Sequence, residues 1–188
     1  MTLFFIIIDL GKFAMELYFL RHAIAVERGH PPYKDDAKRP LTAQGAQKMY
    51  RVARGMRTLG LSFDAILCSP YARARETAQI VTRAFALKKT EIHFTRNLAP
   101  DAPLAKLCQE IRAHFPKCKN ILLVGHQPHL TQLMSYLLKS KNPIPINLKK
   151  GALARLSCPA PYGHTQACLN WVLTPSQLCL IHHKELSD

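Results

Sequence analysis

Three short runs of this chain combine arginine and histidine: Leu20–Arg21–His22, Ser69–Pro70–Tyr71–Ala72–Arg73 and Val124–Gly125–His126. A planar guanidinium binds the oxygens of a compact anion such as a phosphoryl group bidentately. Arg21 and Arg73 are therefore suited to clamp one without a metal. A neutral imidazole is a competent phosphoryl acceptor near neutral pH. His22 would attack phosphorus in line with the leaving group. His126 would donate hydrogen bonds to the equatorial oxygens, where transition-state charge is spread. Each signal is weak alone, since an Arg–His pair arises by chance and commonly means a surface cation beside a satisfied histidine. That plain reading covers His30, His93, His114, His164, His182 and His183. His129 follows His126 by one helical turn and raises a metal pair, but no third ligand has a convincing spacing. Helix packing or capping fits His129 better, and Arg75 reads as a solvated or ion-paired side chain.

The three runs make a site only if the fold brings them to one rim. From Met15 the pattern alternates strand and helix. Leu17–Leu20 is a short apolar run ending at Arg21–His22. The polar stretch from Glu27 to Arg39, with Gly29–His30–Pro31–Pro32, reads as a surface loop. Thr42 is placed to cap a helix whose apolar side is Ala46, Met49, Ala53, Met56 and Leu59, with Gly60 as its stop. Phe63–Cys68 is a second strand, and Thr77, Ile80, Val81 and Ala84 mark a second helix. Ile92–Phe94 reads as a strand, and Pro103 opens a helix through Leu104, Leu107 and Ile111. Ile121–Val124 is a continuous apolar strand of the kind buried on both faces of a parallel sheet. It feeds a helix with Leu130, Leu133, Met134 and Leu137. Strands at Ala152–Leu156 and Leu169–Leu173 complete the set, the second ending before Pro175. The alternation predicts an α/β fold, a three-layer α/β/α sandwich around a mostly parallel central sheet. In such sheets ligands bind beyond the carboxyl ends of the strands, which is where the three runs fall.

The chain of 188 residues is long enough for one domain with a full core, and no composition break divides it. Lys and Arg number 26 against 12 acids, a net charge of +14. Such a field attracts phosphorylated substrates, acidic proteins, nucleic acid or an anionic membrane face. The basic residues are dispersed, apart from pairs such as Lys88–Lys89 and Lys149–Lys150, and no nucleic-acid-binding signature accompanies them. Nucleic acid is therefore an unfavoured partner. The six cysteines are scattered without a C-x-x-C pair, which points to thiols in a reducing cytoplasm. Leu3–Ile8 is too short an apolar run to span a bilayer, and Asp9 and the late Lys12 do not suit a signal peptide. Residues 1–14 read as an extension outside the fold, with 15–188 as the single domain and a weak membrane-surface anchor as the alternative role. No stable membrane insertion is expected.

Leu20–Arg21–His22, Ser69–Pro70–Tyr71–Ala72–Arg73–Ala74–Arg75–Glu76–Thr77–Ala78 and Gly125–His126 together resemble the signature of the histidine phosphatase superfamily. Arg39–Pro40–Leu41–Thr42 with Gly45, and Asn170–Trp171 with Thr174–Pro175, are similar to its short SixA-like phosphohistidine phosphatases. The resemblance spans about Met15 to Pro175. It implies a phosphoglycerate mutase-like fold and a phosphohistidine intermediate on His22. It also implies a phosphate pocket of Arg21, Arg73 and His126, no metal and no cofactor. Ala23 stands where a glycine often follows the histidine, a small change.

Larger relatives insert a lid that supplies a carboxylic acid to protonate an alcohol leaving group. Here the connections are short. Glu27, Asp35, Asp36 and Asp101 are the candidate acids, each reading first as a solvated loop residue. An alkoxide leaves poorly without a proton donor. A phosphorylated imidazole protonated on its other nitrogen departs as a neutral ring. The missing lid thus favours phosphohistidine over a small phosphate ester, and the resemblance implies that it is carried by a signalling or phosphotransfer protein. A small phosphorylated molecule (phosphatase or mutase chemistry) is the second reading, and a non-catalytic phosphate- or nucleic-acid-binding module the third.

Overall fold

A computed structural model describes residues 13–87, 92–159 and 166–184. Six strands are described: β1 (Phe13–Arg21), β2 (Ala65–Cys68), β3 (Ile92–Phe94), β4 (Asn120–Gly125), β5 (Leu153–Pro159) and β6 (Cys168–Leu173). The helices among these residues are α1 (Ala43–Thr58), α2 (Ala72–Ala84), α3 (Leu104–His114), α4 (His129–Leu137) and α5 (Pro175–Lys184). The sheet order is β3-β2-β4-β1-β5-β6. Strands β3, β2, β4 and β1 are parallel, while β5 pairs antiparallel with both β1 and β6. Only β5 runs against the rest, so the sheet is mostly parallel, as the alternating pattern predicts.

Side-chain alternation splits the core into two layers. Leu17 and Phe19 of β1 pack with Leu107 and Ile111 of α3 and Leu130, Leu133 and Met134 of α4. Tyr18 and Leu20 turn to the other face, onto Met49, Val52, Ala53 and Met56 of α1, Ala74, Ala78 and Val81 of α2, and Leu178 of α5. Ile121 to Val124 are each 0% exposed. The unbroken apolar run of β4 therefore belongs to a strand covered on both sides.

Local signals place most boundaries. The Thr42 hydroxyl accepts the Gly45 N–H at 2.9 Å and caps α1, and Gly60 at φ +70° ends the turn that follows it. Leu59, expected on the apolar side of α1, is instead exposed. Phe63 precedes β2 rather than opening it, yet is buried against Tyr18 in an edge-to-face pair. β1 begins at Phe13, two residues before Met15. The rest of the N-terminal segment read as an extension lies outside the described residues. Helix α5, not anticipated in the sequence, covers α1.

Candidate active site

Strand register assembles the site. Leu20 of β1 pairs with Val124 of β4, and Val124 pairs with Cys68 of β2. The residues that follow therefore leave the sheet at one level: the His22 N–H donates to the Gly125 carbonyl at 3.0 Å, and the Ser69 N–H to the Val124 carbonyl at 3.0 Å. Neighbouring strands lie about 4.8 Å apart. Ser69, His126 and His22 thus stand in a row with His126 in the middle. The His22 and His126 rings have centroids 5.1 Å apart. Arg73, in the first turn of α2, donates from Nε to His22 Nε2 at 3.2 Å. Arg21 is turned toward the loop before β5 and donates from Nη1 to the Leu148 carbonyl at 2.9 Å. Arg21, His22, Arg73 and His126 all line one cavity of about 550 Å³.

The protonation of His22 follows from its contacts. Nδ1 lies 2.7 Å from the Ala23 carbonyl, which can only accept, so the proton is on Nδ1 and the lone pair on Nε2. Burial first, then the charges of Arg73, Arg21 and Lys150, push the His22 pKa down to about 3, against the raising effect of the Ala23 carbonyl. Burial also drives His126 down to about 2, aided by His22 and Arg73. Both rings are neutral near pH 7. His22 presents an unprotonated nitrogen beside two guanidinium groups, an arrangement suited to attack on an anion that those groups bind.

The loop from Glu27 to Arg39 is more than a surface connection. Asp36 Oδ2 accepts from Arg73 Nη2 at 3.0 Å, and its Oδ1 accepts from Arg39 Nε and Nη2 at 3.0 and 2.9 Å. Its backbone carbonyl takes Arg73 Nη1 at 2.7 Å. Burial alone would raise the Asp36 pKa, but the hydrogen bonds and charges of Arg39 and Arg73 outweigh it and hold the group at about 2. Asp36 is therefore neither a solvated loop residue nor a proton donor at neutral pH. It is the carboxylate that orients Arg73. Arg39 also donates to the Val26 carbonyl, and Leu41 N–H to Glu76 Oε2 of α2 at 2.8 Å. Thr77 accepts the Ala23 N–H at 3.0 Å and donates to the Arg73 carbonyl at 2.7 Å. A Cβ on Gly45 would come within 2.1 Å of the Ile24 carbonyl oxygen, so only glycine lets α1 approach the segment after His22. The Arg39–Thr42, Gly45 and Arg73–Thr77 motifs are thus one fastening around the His22 loop.

Of the other candidate acids, Glu27 and Asp101 line the cavity. Asp35 instead caps the short helical turn Asp36–Lys38, accepting the Ala37 N–H at 2.9 Å. Arg75 is exposed, its guanidinium 5.5 Å from the centre of the Phe94 ring, away from the cavity lining. His129 does not join His126: its Nε2 donates to the Ala102 carbonyl at 3.1 Å and fastens the loop that carries Asp101. Among the described residues no three His, Cys, Asp or Glu side chains gather as a metal-holding group. Sequence reasoning missed Ser69, which bonds His126, and Lys150 and Gln127, which line the cavity. The Gly151 N–H bonds the Arg21 carbonyl at 3.0 Å, which holds the neighbouring Lys150 at the cavity wall, a placement that no local sequence signal marks.

Comparisons with known proteins bear on the family and the fold. A family model described as the histidine phosphatase superfamily (branch 1) matches residues 17–99. An uncharacterized protein of Picosynechococcus is 37% identical over 143 residues, 76% of this chain and 84% of that protein. The phosphohistidine phosphatase SixA homolog of Haemophilus influenzae is 26% identical over 137 residues, 69% of this chain and 81% of that protein. Among solved structures, the protein histidine phosphatase SixA complexed with tungstate superposes with a TM-score of 0.75 at 21% identity, covering 87% of this chain and 99% of that one.

Proposed function

This chain belongs to the histidine phosphatase superfamily, and we propose that it is a SixA-like phosphohistidine phosphatase that works without a metal or cofactor. The observation that carries the reading is His22 Nε2: unprotonated, in the cavity wall, and bonded to Arg73 Nε at 3.2 Å. In the resting site that arginine N–H occupies the lone pair. An arriving phosphoryl anion draws the guanidinium to its own oxygens and frees Nε2. Nε2 then attacks phosphorus, the bond to the leaving group breaks, and its electron pair departs with that group. Arg21, Arg73 and His126 hold the phosphoryl oxygens through this step and through attack by water on phospho-His22, which releases inorganic phosphate.

The leaving group decides the substrate class. Asp36, the carboxylate linked to His22 through Arg73, is ionised at neutral pH. A leaving imidazole already protonated on its second nitrogen needs no acid, which favours phosphohistidine on a protein. The six cysteines are free thiols, in keeping with a reducing cytoplasm. Glu27 and Asp101 in the cavity wall support a second reading, in which one of them protonates an alkoxide and the substrate is a small phosphate ester.

The test is rapid quench with labelled phosphohistidine protein, with chelator present. It should trap an acid-labile phosphoenzyme that His22→Ala lacks. Full turnover by His22→Ala would overturn the mechanism. A sugar phosphate as best substrate by a wide margin would favour the ester reading.

A further inference from the structure

We infer that Ser69 is a positioning residue that fixes the tautomer of His126, so that this neutral ring presents a proton on Nδ1 to the phosphoryl group. The inference rests on the phosphatase reading above and adds a residue to it. Ser69 is 0% exposed, and its Oγ lies 2.8 Å from His126 Nε2. The Tyr71 N–H points at the same oxygen at 3.4 Å, using an acceptor lobe of the hydroxyl. A buried hydroxyl proton needs an acceptor. Among the described residues, His126 Nε2 is the one acceptor that Ser69 Oγ reaches.

If Nε2 carried the proton and donated to Ser69, the serine proton would be stranded and Nδ1 would be a buried bare acceptor. Nδ1 has no hydrogen-bond partner within the described residues. If Ser69 donates to Nε2, the serine is satisfied on both sides, and the one group left over is a donor, Nδ1–H, itself covered in this structure but on a ring that lines the cavity. A donor is what an anion can satisfy. The first arrangement would set a lone pair against phosphoryl oxygens, which repels them. His22 on the far side of His126 has its own proton committed to the Ala23 carbonyl, so the two rings are set by different partners. A ring kept neutral can donate in this way only if its tautomer is held.

The experiment is long-range ¹H–¹⁵N correlation spectroscopy of the imidazole nitrogens in the full chain at pH 7, without substrate. His126 should show a protonated Nδ1 and a bare Nε2. The opposite pattern in the native protein would overturn the inference whether or not any variant folds. In Ser69→Ala, with melting temperature checked, the His126 signals should shift toward the other tautomer or a mixture. kcat for an aryl phosphate should fall about 10- to 100-fold, less than complete loss of a transition-state donor because one tautomer still donates. KM should change little, and Ser69→Cys should recover part of kcat through its weak S–H donor. Unchanged kcat in Ser69→Ala would also overturn the inference. Failure of the phosphatase reading itself would show as no turnover of any phosphorylated substrate by the native chain, with the His126 spectrum unaffected.

Discussion

At the scale of single residues, the neutral state of His22 and His126 ties catalysis to stability. Their folded pKa values, about 3 and about 2, lie below the value near 6.5 that an unfolded chain gives histidine. Above pH 6.5 neither state binds the protons, and the full stabilisation is present. Between about pH 6.5 and 3 the unfolded chain binds them and the folded protein does not, so stability is lost as pH falls. Each ring should contribute a slope of up to about 1.4 kcal/mol per pH unit in that window. Denaturant titrations from pH 7 to 4 should show it, with a shallower slope in His22→Asn; identical slopes would mean that His22 titrates in the folded state. The arginines separate as cleanly. Arg73 bonds His22 and Asp36 while Arg75 rests exposed over Phe94. Arg73→Ala should therefore lower kcat/KM by about 30- to 1,000-fold, the loss of on the order of 2–4 kcal/mol of transition-state stabilisation. Arg75→Ala should stay within a few-fold of the native enzyme. Equal losses would place the phosphate clamp on the wrong arginine.

At the scale of elements, α5 shows how one helix is written in two distant places. Thr174 and Gln177 form a reciprocal cap: Gln177 Oε1 accepts from the Thr174 N–H and hydroxyl at 2.8 Å each, and the Gln177 N–H returns to Thr174 Oγ1 at 3.3 Å. Pro175 follows the cap, where its missing N–H costs nothing. The partner signal is Gly55 of α1, where a Cβ would come within 1.9 Å of the Leu178 carbonyl oxygen. Gly55→Ala must push the helices apart, so it should destabilise by about 1–3 kcal/mol, or roughly 2–12 °C in melting temperature. kcat at 20 °C should persist, because the contact lies away from the cavity lining. An unchanged melting temperature would show that α5 does not pack as described. The cap and proline are legible in the sequence, but the short run Pro175–Lys184 carries no clear apolar stripe to mark a helix after them. The other elements were legible because periodicity is local: β4 as an apolar run, α1 as a capped stripe. Asp36 was not legible. Its meaning depends on Arg73, 37 residues away, and a polar loop looks alike whether its carboxylate meets water or a guanidinium. Ser69 was hidden for the same reason, since its partner His126 is 57 residues on and is reached only through the register of β2 and β4. The four Arg and His residues of the pocket were legible because each ends a strand or opens a helix at the sheet's carboxyl rim.

At the scale of the molecule, the charge distribution bears on how a substrate arrives. The net charge is +14, and the cavity wall adds Arg28, Arg39 and Lys150 to Arg21 and Arg73, against Glu27 and Asp101. Part of this field is cancelled locally, since Asp36 bonds Arg28, Arg39 and Arg73. Lys150 is exposed at the mouth and forms no ion pair among the described residues, so its charge reaches solvent. Long-range attraction accelerates encounter in proportion to the charge on both partners, and it is screened beyond roughly 8–10 Å near physiological ionic strength. An acidic phosphoprotein spreads many charges over distances longer than that, whereas an aryl phosphate brings two charges in one compact group. If the physiological substrate is an acidic phosphoprotein, kcat/KM for it should fall about tenfold or more as salt rises from about 0.05 to 0.5 M. The aryl phosphate should lose less over the same range, because much of its attraction acts inside the cavity at short range. Steady-state rates for both substrates across one salt series measure the difference in slope. Lys150→Gln should flatten the steeper curve without removing turnover, since that lysine lies outside the His22, Arg73 and His126 hydrogen-bond set. Parallel slopes for the two substrates would mean that the basic surface serves something other than substrate capture, and would remove charge complementarity as an argument for a protein partner.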